Sequence, residues 1–86
     1  MEINLRNCKV GDTLISSHGA RLIYVSYLGE DNAYPHEVMF TEDFGEGEYK
    51  VEKGYTGTRI DSGHVFRARR EPFDHDIVKV IPKEEN

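Results

Sequence analysis

The sequence predicts a mostly β protein: a small barrel of five to seven short strands with at most a single short helical turn. Apolar residues alternate or form short runs, and turn-forming residues interrupt them every several positions, which is typical of strands joined by tight connections. No window of about eleven residues or more has clean helical periodicity. Closure into a barrel is expected because it removes the exposed strand edges through which small antiparallel sheets aggregate.

The first half of the chain contains the clearest strands. Thr13–Ser16 is predicted as the first strand, and 21–28, dominated by β-branched and aromatic residues, as the second. Gly19 is the permissive position of the hairpin turn between them. Both faces of 21–28 are largely apolar, so this strand is expected to be central or curved. A third strand at 37–41 begins after Pro35, which lacks the N–H that a sheet ladder needs.

The middle of the chain is more polar. Residues 42–48 are acidic and rich in glycine, which predicts an exposed loop, and 49–51 is predicted as a short strand or an edge. The Asp-Ser-Gly sequence at 61–63 predicts a three-residue hairpin loop between strands at 58–60 and 64–66.

The last strand is predicted at Ile77–Ile81. Lys79 lies on one face of this strand, so its neighbours Val78 and Val80 are expected to point inward and to pack against the first strands. The first and last strands must then meet if the barrel closes.

The length of 86 residues corresponds to one domain. We assign 1–83 to the β-barrel domain and 84–86 to a short acidic tail. A chain of this size buries only about 60–65% of its unfolded surface, so it has no material for a second core. The single helical turn is expected at 5–8 or at 69–73.

Cysteine content and hydropathy indicate a cytoplasmic protein. Cys8 is the only cysteine, so neither an internal disulfide nor a multi-cysteine zinc site can form, and we expect it to be a small buried apolar residue. The first residues form no apolar run of signal-peptide length, and no segment approaches the length of about 20 apolar residues that spans a bilayer. We therefore expect no membrane association.

The net charge of −5 is unevenly distributed. Residues 29–58 are strongly acidic, whereas 1–28 and 59–83 are slightly basic. The overall sign disfavours nucleic acid as a partner, because non-specific binding to nucleic acid depends on neutralising phosphates with Lys and Arg. The asymmetry leaves room for a local basic patch.

The stretch from 9 to 25 resembles the opening hairpin of SH3-like barrels, especially those of the KOW type. Val10, Gly11, Asp12 and Gly19 match an apolar residue before Gly-Asp, a following strand and a second Gly eight positions after the first. Ile23 stands where the next Gly of that pattern is expected. The resemblance implies a five-stranded barrel that works as a binding module, without choosing among RNA, DNA and protein as its ligand. The chain as a whole also resembles small uncharacterised bacterial and phage proteins.

The strongest functional candidates are loop arginines and tyrosines. Arg forms bidentate contacts with carboxylates and phosphates and stacks on aromatic rings, and an aromatic side chain in a loop often marks a contact surface. We expect a binding surface made by Arg67, Arg69, Arg70, Arg59, Tyr34 and Tyr55. The alternative is that the three clustered arginines pair with the acidic loop at 42–48.

Other clusters of polar residues are weaker candidates for catalysis or ligand binding. Asp74, His75 and Asp76 suggest base catalysis or metal binding, but successive residues of an extended segment point to opposite sides. The remaining histidines (His18, His36 and His64) have no metal-ligand spacing and are interpreted as surface or turn residues. The glycine-rich sequence at 45–50 lacks the helix and the positive charge of a phosphate-binding loop, and the acidic residues around it lack EF-hand spacing.

We therefore predict a non-enzymatic binding or accessory domain that contacts a protein partner or a second copy of itself, with no cofactor and no metal. Two alternatives remain. One is a small metal-dependent hydrolase that uses His64, His75, Asp74 or Asp76. The other is an acidic mimic of nucleic acid, or an inhibitor, that uses the stretch 42–52 to occupy a basic cleft.

Overall fold

Five strands form one antiparallel sheet, in the order β4-β3-β2-β1-β5. The computed structural model describes residues 3–63, 65 and 76–83. The strands are β1 (Thr13–Ser16), β2 (Arg21–Tyr27), β3 (His36–Phe40), β4 (Thr56–Arg59) and β5 (Ile77–Ile81). Two 3-10 turns, Leu5–Asn7 and Gly47–Tyr49, are the helical elements of these residues. The mostly β fold class is confirmed.

The β1–β2 hairpin forms where the turn residues predict it. Gly19 has a φ of 89°, a conformation that side chains with a Cβ rarely adopt. The Ser16 hydroxyl accepts a hydrogen bond from the Ala20 amide at 3.0 Å, which satisfies a buried polar group inside the turn. The first hairpin is therefore fixed by local chemistry.

The first and last strands meet, as expected. β1 pairs with β5 along its length, with Thr13 opposite Ile81 and Leu14 opposite Val80. The Asp12 carboxylate adds to this junction by accepting a hydrogen bond from the Lys83 amide at 2.9 Å. β4 and β5 are the two edges of the sheet, and no strand pairing among the described residues joins them. The sheet is thus open in this part of the chain.

The core lies on one face of the sheet. Alternate positions of β1, β2 and β3 point into it, as the period of two requires. The buried apolar residues are Leu5, Leu14, Ala20, Leu22, Tyr24, Val38, Phe40 and Ile77. Leu5 belongs to the first 3-10 turn, so this turn closes one end of the core.

One expectation for β5 was wrong. Ile77 is 2% exposed and Val78 is 53% exposed, so Val78 does not point inward, while Val80 is partly buried against the core. The reason is a register shift in the pairing with β1, where Ser16 lies opposite Ile77 and Ile15 opposite Lys79. Val78 is therefore an extra residue of a β-bulge, and a bulge breaks the alternation on which the prediction depended.

The region after β3 also differs from the prediction. β4 covers Thr56–Arg59 and pairs with β3. It begins two residues before the strand expected at 58–60 and ends one residue before it. The partner strand expected at 64–66 includes residues outside the described ones. In place of a short strand at 49–51 there is a 3-10 turn at Gly47–Tyr49 and a single bridge between Phe44 and Val51.

Candidate functional site

His36 is the centre of a buried row of hydrogen bonds. Its side chain is fully buried, at 0% exposure, at the start of β3. The ring Nδ1 lies 2.6 Å from the Tyr24 hydroxyl, and Nε2 lies 2.7 Å from the Asp61 carboxylate. The expectation that His36 is a surface or turn residue was wrong.

The partners of His36 fix the direction of one of its two hydrogen bonds. An ionised carboxylate only accepts, so Nε2 carries a proton and donates to Asp61. When the ring is neutral, Nδ1 carries a lone pair and accepts from the Tyr24 hydroxyl. The hydrogen bond from His36, followed by that from Arg6, lowers the pKa of Asp61, which keeps this carboxylate ionised.

Arg6 connects this row to the surface. Its Nε donates to Asp61 at 2.9 Å, and its guanidinium lies 3.5 Å from Glu30 and 5.7 Å from the centre of the Tyr27 ring. The first of these bonds raises the pKa of Arg6. The backbone supports the contact, because the amide of Leu5 donates to the carbonyl of Asp61 at 2.7 Å.

A β-bulge in β2 brings two tyrosines to the same histidine. Tyr24 and Tyr27 are three residues apart and would point to opposite faces of a regular strand. The pairing with β3 shifts between Tyr24 and Ser26, so one extra residue, Val25, lies between them. The rings of Tyr24 and Tyr27 consequently lie 5.7 Å and 5.4 Å from the His36 ring.

An open groove of about 370 Å³ lies beside this row. It is lined by Arg6, Cys8, Val10, Tyr24 and Tyr27. Val10 is 65% exposed and Tyr27 is 43% exposed, so two large apolar side chains face solvent at its rim. We call these five residues the Tyr27 groove.

A second hollow of about 420 Å³ adjoins the Tyr27 groove and shares Arg6 with it. Its other lining residues are Glu30, Asn32, Pro35, Ile60, Asp61 and Ser62. Arg6 therefore lines both cavities, and its two carboxylate partners line the second hollow.

Cys8 contributes an inert thiol to the groove. Partial burial, and after it the charge of Asp12, raise the pKa of Cys8 to about 11. The thiolate is the nucleophilic form of cysteine, so at neutral pH this side chain acts as a small apolar group. Its position against the core agrees in part with the expectation of a buried apolar residue.

The two described loop tyrosines lie towards opposite ends of β3. Tyr34 lies just before β3, near the end where His36 pairs with Arg59. Tyr55, 59% exposed, precedes Thr56, which pairs with Met39 towards the other end of the strand. The five residues of β3 span about 16 Å, which separates the two tyrosines.

Arg59 lies inside the protein. It is 4% exposed and donates to the carbonyl of Thr58 at 2.9 Å. Burial lowers its pKa, and the charge of Asp76 opposes that effect. Arg67, Arg69 and Arg70 lie outside the described residues.

The structure describes some of the residues on which the two alternatives, a metal-dependent hydrolase and an acidic mimic, depend. His64, Asp74 and His75 also lie outside the described residues, and among 3–63, 65 and 76–83 no three His, Cys, Asp or Glu side chains are grouped to hold a metal ion. Asp76 is buried, and one of its carboxylate oxygens accepts from the Val65 amide at 2.8 Å. The acidic residues Glu42, Asp43, Glu46, Glu48 and Glu52 are all exposed, as expected of a loop.

Reasoning from the sequence missed Arg6, His36 and Asp61 as a set. They are brought together by tertiary contacts across 55 positions of the chain, and no local spacing signals such a contact. One signal was available: Tyr24 and Tyr27 both belong to a strand with two apolar faces, the pattern that already predicted curvature in β2.

Comparison with models of known protein families, with curated proteins and with solved structures gives no match to this chain. The fold and the site therefore define a class by their own features: a small mostly β protein with a five-stranded antiparallel sheet and an open aromatic groove. In the described part of the chain, no helix has the length and apolarity needed to cross a bilayer.

Proposed function

We propose that this protein is a non-enzymatic binding domain whose Tyr27 groove takes an apolar side chain from an extended segment of a protein partner. Aromatic residues and Arg are enriched at the centres of protein interfaces, and this groove combines two tyrosines with Arg6. The proposal extends the expected binding surface from loop residues to a groove between the N-terminal segment and β2.

The observation that carries the proposal is the exposure of Val10 and Tyr27 beside a rigid floor. Large apolar side chains that face water in one patch mark interaction sites more often than isolated ones. The floor is pre-organised because Tyr24 is held by His36, and Arg6 by Asp61 and Glu30. A groove that is already formed loses little conformational entropy on binding.

The groove is tested by paired surface variants. The domain is immobilised and proteins retained from native lysate are compared for wild type, Val10→Asp, Tyr27→Ala and two control variants, Val78→Asp and Tyr55→Ala. The controls change exposed residues of the same type outside the groove. We expect a specific partner to be retained by wild type and both controls and lost by both groove variants. Retention by all five proteins would contradict the proposal.

The arginines 67, 69 and 70 are a second part of the proposed surface, supported by the sequence alone. Arg67→Glu combined with Arg70→Glu should abolish retention of the partner while leaving the thermal unfolding of the domain intact. Unchanged retention by this double variant would restrict the contact surface to the groove. A retention that weakens steeply with salt would support charged contacts.

We also propose that the fold is of the SH3-like type, as the resemblance at 9–25 implies. The strand order β4-β3-β2-β1-β5 supports it, because three successive antiparallel pairs connect the four strands β1 to β4 and the last strand returns to pair with the first. Backbone contacts between the edge strands β4 and β5, measured by nuclear Overhauser effects, test whether the sheet closes.

The exposed acidic stretch keeps one alternative open. Five exposed carboxylates between 42 and 52 suit the occupation of a basic cleft. If this stretch is the contact surface, Glu46→Gln with Glu48→Gln weakens retention of the partner, and the groove variants do not.

A further inference from the structure

The guanidinium of Arg6 has one bonded edge and one open edge. Its Nε donates to one oxygen of Asp61 at 2.9 Å, while the other oxygen of Asp61 lies 2.7 Å from His36. Towards its other two nitrogens, the described part of the chain places one carboxylate, that of Glu30, whose Oε1 is 3.5 Å from Nη1. A charge-assisted hydrogen bond between such groups measures about 2.7–2.9 Å, so Glu30 does not fill the Nη1–Nη2 edge.

Glu30 is a loose partner of this edge. Its side chain is 77% exposed, and that of Arg6 is 48% exposed. Glu30 belongs to the turn at 29–32, which is closed by a hydrogen bond from the Asn32 amide to the Gly29 carbonyl at 3.1 Å. An exposed ion pair of this kind contributes little, because water screens it and two long side chains lose freedom. Glu30 therefore shows which chemical group the edge attracts, and it can be displaced at small cost.

The open edge of Arg6 belongs to the place where the two cavities adjoin. Arg6 lines both the Tyr27 groove and the second hollow, and Glu30 lines the hollow alone. The guanidinium carbon lies 5.7 Å from the centre of the Tyr27 ring, so the charged group adjoins the apolar rim of the groove. A guest whose apolar side chain packs on Tyr27 and Val10 consequently brings its next polar group beside Arg6.

A cationic guest is the alternative, because the second hollow contains two carboxylates. Each oxygen of Asp61 already has a donor, however, so Glu30 is the carboxylate left to receive a cation. Such a cation would also lie close to the guanidinium of Arg6, which repels it. A carboxylate that replaces Glu30 instead fills the open edge and leaves the net charge of the hollow unchanged, because Glu30 turns out into water.

We propose that the partner presents a carboxylate next to its apolar side chain, and that this carboxylate displaces Glu30 and binds the Nη1–Nη2 edge of Arg6. The planar fork of a guanidinium matches the two oxygens of a carboxylate, which gives such a pair geometric specificity as well as strength. Arg6 is then the specificity-determining residue of the Tyr27 groove, and Glu30 is its internal competitor. This inference rests on the proposed function and specifies the partner chemistry of that same site.

The first test compares probes that differ in one group. N-acetyl-leucine has a terminal carboxylate, and N-acetyl-leucine amide has a neutral amide in its place. Each is titrated at pH 7 into ¹⁵N-labelled protein, and the dissociation constant is taken from amide shifts at Arg6, Cys8 and Tyr27. We expect the carboxylate probe to bind about 3- to 10-fold more tightly, as a hydrogen-bonded charge predicts.

A second pair of probes identifies the source of the carboxylate. N-acetyl-leucyl-glutamyl amide carries it on a side chain, and N-acetyl-leucyl-glutaminyl amide is the neutral control. A larger preference in this pair assigns the site to an acidic side chain of the partner, and a larger preference in the first pair assigns it to a chain terminus.

Glu30→Gln tests the competition directly. It removes the internal carboxylate from an exposed position, so we expect it to tighten binding of N-acetyl-leucine about 2- to 5-fold and to leave binding of the amide probe unchanged. Asp31→Asn is the matched control, because it removes the same charge from the next residue, which is also exposed and does not pair with Arg6. In about 0.15 M salt, which screens charges beyond about 8 Å, this control should bind both probes like wild type.

Arg6→Gln removes the guanidinium and should abolish the preference for the carboxylate probe. Because Arg6 also bonds to Asp61, the ¹⁵N spectrum of this variant must first show that it is folded. If it does not fold, the comparison of Glu30→Gln with Asp31→Asn decides the matter without it.

The outcomes distinguish this inference from the proposed function. Equal binding of the acid and amide probes in both pairs, with shifts at the groove, overturns the carboxylate assignment and leaves the groove as a docking site. Equal tightening by Glu30→Gln and Asp31→Asn overturns the role of Glu30 as a competitor. No shift at the groove with any probe also overturns the assignment, and the partner-retention test then decides the proposed function independently.

Discussion

At the scale of single residues, His36 illustrates how burial and hydrogen bonding depend on each other. A fully buried imidazole is tolerated because both of its nitrogens have partners, Tyr24 on one side and Asp61 on the other. Each partner is in turn fixed by its surroundings, Tyr24 by the core and Asp61 by Arg6. Removal of one member should therefore affect the others.

Tyr24→Phe should destabilise the protein by about 1–3 kcal/mol, because it leaves the buried Nδ1 of His36 without its hydrogen-bond partner. The free energy of unfolding, measured by urea denaturation at pH 7, checks this value. Tyr27→Phe is the matched control: Tyr27 is 43% exposed, so its change should stay within about 0.5 kcal/mol. Equal effects of the two substitutions would mean that His36 does not depend on Tyr24.

Asp61 should make the stability of the protein depend on acid pH. Its folded-state pKa is lowered by His36 and Arg6, so its contribution is fully present above the unfolded pKa of about 4 and is lost as pH falls through the folded pKa. Asp61→Asn, which cannot ionise, should show a smaller loss of stability below pH 4 than wild type. Urea denaturation between pH 2 and pH 7 measures this difference.

Glu48→Gln is the control for that comparison, because it removes the same charge from an exposed position. Below pH 4, the free energy of unfolding of this variant should fall with pH as that of wild type does. If Asp61→Asn and wild type lose stability in parallel down to pH 2, the His36–Asp61–Arg6 contacts do not stabilise the folded protein through this carboxylate.

At the scale of elements, the two β-bulges decide which side chains face the core and which face the groove. The bulge in β2 places Tyr24 and Tyr27 at one histidine, and the bulge in β5 turns Val78 outward. In each case one extra residue changes the alternation over the rest of the strand.

Ile77 and Val78 provide a direct measure of the bulge in β5. Ile77→Ala should cost about 2–4 kcal/mol because it creates a cavity in the core, whereas Val78→Ala should cost less than about 1 kcal/mol. The free energies of unfolding of both variants check the assignment. A larger cost for Val78→Ala would mean that regular alternation continues through β5.

Much of the secondary structure could be predicted because its signals are local. β1 and β5 have the predicted bounds, β2 ends one residue earlier than predicted, and β3 both begins and ends one residue earlier. The first 3-10 turn lies at one of its two predicted places. β4 was placed late because the glycines at 54 and 57 indicate a turn, whereas pairing with β3 makes Thr56 and Gly57 part of the strand.

At the scale of the whole molecule, the site is built by elements that are distant in the chain. Arg6 comes from the first turn, Tyr24 from β2, His36 from β3 and Asp61 from the loop after β4. None of these residues has a sequence neighbour that signals its role, so the row of hydrogen bonds could not be predicted. Tyr34 and Tyr55 could be identified from the sequence as loop positions, but Tyr34 is only partly exposed, and the register of β3 and β4 places the two near opposite ends of β3.

The pairing of β1 with β5 contributes to the site through the core residues that pack beneath it. It brings the C-terminal strand against Leu14, and Leu14 packs in the core with Tyr24 and Leu5. Because Leu5 adjoins Arg6, the position of Arg6 in the groove depends on the pairing of β1 with β5. The groove is therefore a property of the complete domain and not of the first hairpin.

The most direct measurement is a map of amide chemical shifts in the ¹⁵N-labelled domain when the retained partner is added. We predict that the largest changes occur at Arg6, Cys8, Val10, Tyr24 and Tyr27, with small changes around Tyr55 and Val78. Changes confined to the Tyr55 end of the sheet or to the acidic stretch 42–52, with none at the groove, would contradict the account.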